Sequence, residues 1–192
     1  MSPGLVVNSD VANSGRVCLL VAGVHSGGGN TMALVLRHLG ADQLLDDAVA
    51  AFSALNSELL ASAGSGCIAV EPLNPQWYAS PRHAEFWARA IDLVERHFAG
   101  SYFFALTDSG LGGLVPFWRD VLEKCGVRAA VINFYEDPDV YALRLTRGMR
   151  VGGSAAHALW LGQALSAERV SRDGMRAHVT QEALLQDWEG VL

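Results

Sequence analysis

RVCLLVAGVHSGGGNTMALVLRHLG, residues 16–40, decides how this chain folds. Its opening, Arg16 to Gly23, is a short apolar run rich in Val and Leu, the composition of a strand buried on both faces. A glycine-rich turn, GVHSGGGNT at 23–31, follows it. From Thr31 to Leu39 apolar residues recur around most of a helical circumference, as in a helix packed closely on a sheet. Gly40 stands where a left-handed residue ends such a helix. Strand, glycine turn and helix in that order open an α/β domain.

Working outward, the same alternation continues. Ala48, Phe52, Leu55 and Leu59 have helical spacing within Leu44 to Ala63, and Gly64-Ser65-Gly66 ends the pattern. Cys67 to Val70 reads as a brief strand or an extended connector. Glu71 to His83, with Pro72, Pro75 and Pro81, reads as an irregular loop. Phe86, Ala90, Ile91, Val94 and Phe98 predict another helix. Tyr102 to Leu106 is the second strand, and TDSGLGG at 107–113 is a second glycine turn leading into a helix with Pro116 in its first turn. Ala129 to Tyr135 is the third strand, ended by Glu136-Asp137-Pro138. A helix over Val140 to Arg147, a long helix over Ser154 to Arg172, a short strand over Arg176 to Thr180 and a closing helix over Glu182 to Trp188 complete the reading. The expected architecture is a three-layer α/β domain, its mainly parallel sheet flanked by helices. Residues 1–15 are expected to form a polar, flexible lead-in and 16–192 a single domain.

Composition narrows the function. The chain has 192 residues, 51% hydrophobic and 18% charged, which excludes bulk disorder and coiled-coil or collagen-like repeats. A formal charge of −6 and a single lysine, Lys124, leave no broad electrostatic footprint for nucleic acid. Cys18, Cys67 and Cys125 form no Cys-x-x-Cys pair, so neither a disulfide framework nor a zinc ribbon is expected, and no metal is called for. No apolar run approaches the roughly eighteen residues that a membrane span needs, and the N-terminus has no basic n-region. A soluble cytoplasmic protein that engages no membrane is the expectation.

In parallel α/β sheets, ligands sit beyond the carboxyl ends of the strands, where glycine turns expose backbone N–H groups at helix N-termini. Gly23 to Thr31 occupies that position. Gly23 and Gly28 match the spacing of the phosphate-binding pattern G-x-x-x-x-G-K-[ST], but Gly29 and Asn30 follow; with one extra residue, Asn30 falls at the lysine position and Thr31 at the hydroxyl. The stretch is therefore either an anion cradle built from backbone or a plain strand-to-helix turn. His25 is the acid/base candidate on this loop, its other role being a loop cap. Asp108 in the second glycine turn either acts at the site or orients the turn through its own backbone. Arg119, Arg144 and Arg147 are candidate cations or surface residues. Trp77, Tyr78, Phe86 and Trp87 are candidate pocket aromatics or core.

The chain also resembles a family. VAGVHSGGGNTMALVLRHLGA is similar to the loop that opens bacterial sulfotransferase-like proteins, Gly-Met-His-Arg-Ser-Gly-Thr-Ser followed by an apolar helix ending in Leu-Gly. LNSELLASAGS at 55–65 is similar to the family's Leu-Asn-Asp-x-Leu-Leu segment. LTDSGLGGLVPFW at 106–118 is similar to Leu-Lys-Asp-Pro-Arg-Leu-x-x-Leu-x-Pro-Phe-Trp. INFYEDPDVYALRLTRG is similar to a strand ending in Arg-x-Pro, and ALWLGQALSAERVSR with EALLQDWEG to the C-terminal pattern. The resemblance covers nearly everything after Gly15.

It implies a P-loop sulfotransferase fold and transfer of a sulfuryl group from 3′-phosphoadenosine-5′-phosphosulfate to a small-molecule hydroxyl acceptor. Gly23, Ser26, Gly27, Gly28, Gly29, Asn30 and Thr31 would then hold the 5′-phosphosulfate, Arg144 would lie toward the 3′-phosphate, and His25 and Asp108 would serve the chemistry. Carried across, the loop Arg falls on Ser26, the loop Ser on Gly27, the loop Thr on Gly29 and the last Ser on Asn30. The Lys and Arg of the second turn fall on Thr107 and Gly110, the strand-end Arg on Glu136 and the helix Ser on Arg144. Gly23, His25, Gly28, Asp108 and Pro138 match. Such transfer relies on positive charge at the leaving oxygen, and each lost contact typically costs ~10²- to 10³-fold in rate. A carboxylate at 136 is expected to repel a 3′-phosphate. The resemblance thus implies weak ordinary activity or, alternatively, a catalytically inactive protein whose pocket serves binding of a partner. Another nucleotide- or phosphate-handling activity is the third reading.

Overall fold

The computed structural model describes residues 15–24, 29–68, 70 and 73–191; the lead-in at 1–14 and His25, Ser26, Gly27 and Gly28 lie outside the described residues. The strand expected at the start is β1 (Arg16–Val24). It is flanked by β2 (Phe103–Thr107) and β3 (Val127–Tyr135), with β4 (Arg176–Thr180) beyond β3. All pairings are parallel and the order is β2-β1-β3-β4. β1 is therefore central, and its continuous apolar sequence follows: Cys18, Leu20 and Ala22 enter the core on one face, Leu19 and Val21 the core on the other.

On the first face pack α2 (Asp46–Ser62), α3 (Pro75–Tyr78), α4 (Pro81–Phe98) and α5 (Leu111–Lys124), whose Phe52, Trp77, Phe86 and Trp118 fill the larger core. On the second face lie α1 (Gly29–His38) and α8 (Gln181–Gln186), through Met32, Leu36 and Leu184. α6 (Pro138–Met149) and α7 (Gly153–Ser171) enclose a smaller cluster with Val24 of β1, and the chain's last helix is α9 (Trp188–Val191). The domain is mixed α/β, a parallel sheet with helices on both faces. Gly40 ends α1 as its position predicts. Its φ is +89°, the Ala41 N–H donates to the Leu36 carbonyl and the Gly40 N–H to that of Arg37, a Schellman closure.

Several local expectations are corrected. The proline-rich stretch 71–83 is not loop throughout: α3 starts at Pro75 behind Asn74, whose side chain accepts the Gln76 N–H, and α4 starts at Pro81 behind Ser80, whose hydroxyl accepts the His83 N–H. In both, a capping oxygen precedes proline at the first helical position, where its missing N–H costs nothing. Cys67 and Ile68 form a turn rather than a strand. α5 begins at Leu111, earlier than expected, because the Asp108 side chain has already turned the chain by accepting the Gly110 N–H; Pro116 consequently lies inside the helix, not in its first turn. The closing helix is broken at Asp187, whose carboxylate accepts the Gly190 N–H and starts a separate turn.

Candidate functional site: the glycine-lined cleft beyond the central strand

At the carboxyl edge of the sheet, β1 and β3 come into close contact at Gly23. Its φ is +105°, and a Cβ there would run into the backbone carbonyl of Phe134. Gly112 of α5 backs onto the same residue: a Cβ on Gly112 would lie 3.8 Å from the Gly23 nitrogen. The N-terminus of α5 thus sits against the strand end. The resulting cleft is lined by Gly23, by Ser65 to Cys67 after α2, by Ser109 and Gly110, by Gly112 and Gly113, and by Gln163 and Ser166 of α7. Its free volume of about 20 Å³ is room for roughly one water molecule. None of the lining residues carries a positive charge.

Asp108 spends its carboxylate on structure. One oxygen accepts the Gly110 N–H at 2.8 Å and the other accepts the Ser53 hydroxyl at 2.8 Å, tying the second glycine turn to α2. Of the first loop, Gly29 and Asn30 open α1, and Thr31 lies half-buried in its first turn. Arg119 is committed elsewhere, donating to the carbonyls of Val170 and Ser171. Trp77 and Phe86 are core residues, Trp77 donating its indole N–H to Ser62, while Tyr78 and Trp87 pack against that core. No signal in the sequence brings Cys67, Gln163 and Ser166 to this cleft. Gln163 does it by bridging: its amide nitrogen donates to the Cys67 carbonyl and its oxygen accepts the Tyr141 hydroxyl.

The end of β3 holds an ion pair with a buried carboxylate. Glu136 is buried, and its carboxylate meets the Arg144 guanidinium at 2.6 Å. The backbone of Glu136 is held on both sides, its N–H donating to the Val24 carbonyl and its carbonyl accepting the Trp160 indole N–H. Asp137 caps α6 by accepting the N–H groups of Asp139 and Val140, with Pro138 at the first helical position. This cap aims α6 so that Arg144, two turns later, folds back over the strand end. The expected repulsive carboxylate is therefore neutralised from within the chain.

Nearby, His157 of α7 contacts Asp139 at 2.8 Å and the Gly153 carbonyl at 2.8 Å. The hydrogen bond to Asp139, then that to Gly153, raise its pKa above the ordinary histidine value. Burial pushes the hydroxyls of Tyr135 and Tyr141 up. Among the described residues there is no group of three or more His, Cys, Asp and Glu placed to hold a metal ion, and no helix is long and apolar enough to cross a membrane.

No protein-family model matches the chain, and no curated protein matches it. Among solved structures, the chain is similar to dephospho-CoA kinase from Campylobacter jejuni, at 10% identity over 92% of this chain and 97% of that one, with a TM-score of 0.40.

Proposed function

We propose that this chain is a sulfotransferase-like P-loop protein in which sulfuryl transfer from 3′-phosphoadenosine-5′-phosphosulfate has given way to a binding role on the same scaffold. The observation that carries this reading is the Glu136–Arg144 ion pair. Under the resemblance, positions 136 and 144 are where an Arg and a Ser would take the 3′-phosphate. Here a carboxylate has replaced the cation, and the Arg144 guanidinium beside it is already engaged with that carboxylate. A phosphate arriving there would meet a buried carboxylate of like charge and would have to compete with it for the Arg144 guanidinium. The residues therefore do not fit the 3′-phosphate. The first loop, Gly23 to Thr31, has no Lys or Arg, and the second turn offers Thr107 and Gly110 in place of cations. Supporting a binding role, the cleft keeps its glycine-built concavity while Asp108, at the start of the turn that lines it, has its carboxylate tied up in hydrogen bonds.

The test is ligand-induced stabilisation. Adenosine 3′,5′-bisphosphate at about 1 mM is expected to leave the melting temperature of the wild-type protein unchanged, because a ligand stabilises only when it binds the native state. The Ser26→Arg/Glu136→Arg variant is expected to gain a shift of several degrees. A comparable shift in the wild type, or transfer of labelled sulfate to a hydroxyl acceptor, would refute the reading. A double-mutant cycle on Glu136→Gln and Arg144→Ala is expected to return a coupling of about 1–3 kcal/mol; the half-exposed guanidinium keeps it below the range for fully buried pairs.

A further inference from the structure

A second cavity, of about 290 Å³, opens at the β2 edge between α1 and α2. Its position follows from the chain's route after Gly40. Asp42 pairs with the outer edge of β2, its N–H donating to the Phe103 carbonyl and its carbonyl accepting the Ala105 N–H, so residues 41–45 run beside the strand before α2 begins. Phe52 and Ala105 form a buried apolar floor, and Leu34 and Val49 form the rim, 66% and 45% exposed. Aliphatic side chains left this open around a hollow indicate a wall without its filling.

The polar residues lining this cavity are few: Arg37, Gln43 and Thr107. Arg37, in the last turn of α1, makes no ion pair with any described residue. The amide nitrogen of Gln43 is buried with no hydrogen-bond partner, a costly arrangement for a donor unless something accepts from it. A cation and an unmet donor beside an apolar floor call for an acceptor with negative charge attached to an apolar body. The volume lies at the lower end of the roughly 300–1,000 Å³ usual for ligand pockets, so the occupant is small.

We infer that the α1–α2 pocket binds a small amphipathic carboxylate, its head group at Arg37 and Gln43 and its apolar body over Phe52 and Ala105. The inference is independent of the nucleotide reading above, since none of these residues touches the glycine cleft or the Glu136–Arg144 pair.

Octanoate is the probe, with octanol and octylammonium as controls of the same chain length, each titrated into the full-length protein and followed by backbone amide NMR shifts. Octanoate is expected to shift resonances of α1, α2 and residues 41–45 with a dissociation constant of about 1 mM, the affinity of a weak fragment. Arg37→Ala, an exposed substitution that leaves the core intact, is expected to weaken octanoate about tenfold without changing octanol. Gln43→Leu is expected to act in the same direction, and Val49→Trp to exclude all three probes by filling the pocket. Absence of octanoate shifts in these elements at ten times that concentration would overturn the inference. So would equal binding of the three probes, or octanoate affinity unaltered by Arg37→Ala.

Discussion

The Trp118 indole N–H donates to the side-chain oxygen of Asn56 across 3.0 Å, and both residues are completely buried. The bond joins α2 to α5 inside an otherwise apolar core, where Phe52 also leans against the Trp118 ring. It is a local exception to apolar packing, and it pins one helix pair in a single register because neither group can find water.

Removing one partner should therefore cost more than the bond itself contributes. Asn56→Ala leaves the indole N–H buried without an acceptor and is expected to lower unfolding stability by about 1–3 kcal/mol. Urea titration followed by tryptophan fluorescence measures this, with Trp118→Phe restoring part of the loss in the double variant. A destabilisation under about 0.5 kcal/mol for Asn56→Ala would contradict the role assigned to the pair.

Gly23 and Gly64 both have positive φ, yet they should respond differently to alanine. Around Gly64 a Cβ meets nothing within 4 Å, so Gly64→Ala is expected to cost only the left-handed backbone penalty of about 1–2 kcal/mol. Gly23→Ala adds a collision with the Phe134 backbone, and opening the β1–β3 ladder to relieve it would disturb the centre of the sheet. The expected order of denaturation midpoints is wild type, then Gly64→Ala, then Gly23→Ala. Equal midpoints for the two variants would show that the strand end yields without resistance.

His157 should titrate above the ordinary histidine value, with Asp139→Asn lowering its midpoint in an NMR titration. The sign of the linkage follows. A raised folded-state pKa contributes stability that is complete below the unfolded value and disappears as pH rises through the folded one. His157→Gln is accordingly expected to lower the melting temperature relative to wild type at about pH 5.5 and to have no effect at about pH 8.5, on either side of the ordinary value. Solvent around this exposed pair keeps the difference small. An effect larger at the alkaline end would reverse the assignment.

How far the sequence reached is clearest in β1 and α1. An uninterrupted apolar strand and an apolar helix closed by Gly40 are local patterns, written in neighbouring residues, and both take their expected places, one in the sheet and one in its helical layers. The absence of cations from Gly23 to Thr31 was equally legible, because it is a matter of composition. The short helix at Pro75 and the early start of α5 are not legible from prolines and glycines alone: side-chain oxygens of Asn74 and Ser80 cap helices that begin at proline, and Asp108 turns the chain at Gly110 just before α5.

Tertiary structure alone decided which distant groups meet. Cys67 and Gln163 are 96 residues apart and share no periodicity, yet α7 sets them in one cleft. Glu136 reads as a bare negative charge until the Asp137 cap fixes the direction of α6 and returns Arg144 to it. The hollow between α1 and α2 lies where Asp42 pairs with the edge of β2 and carries the chain along it. Short-range preferences of the backbone are encoded within a few residues, whereas charge pairing and cavity shape depend on how whole elements are oriented, and that orientation is settled only by packing the two faces of the sheet at once.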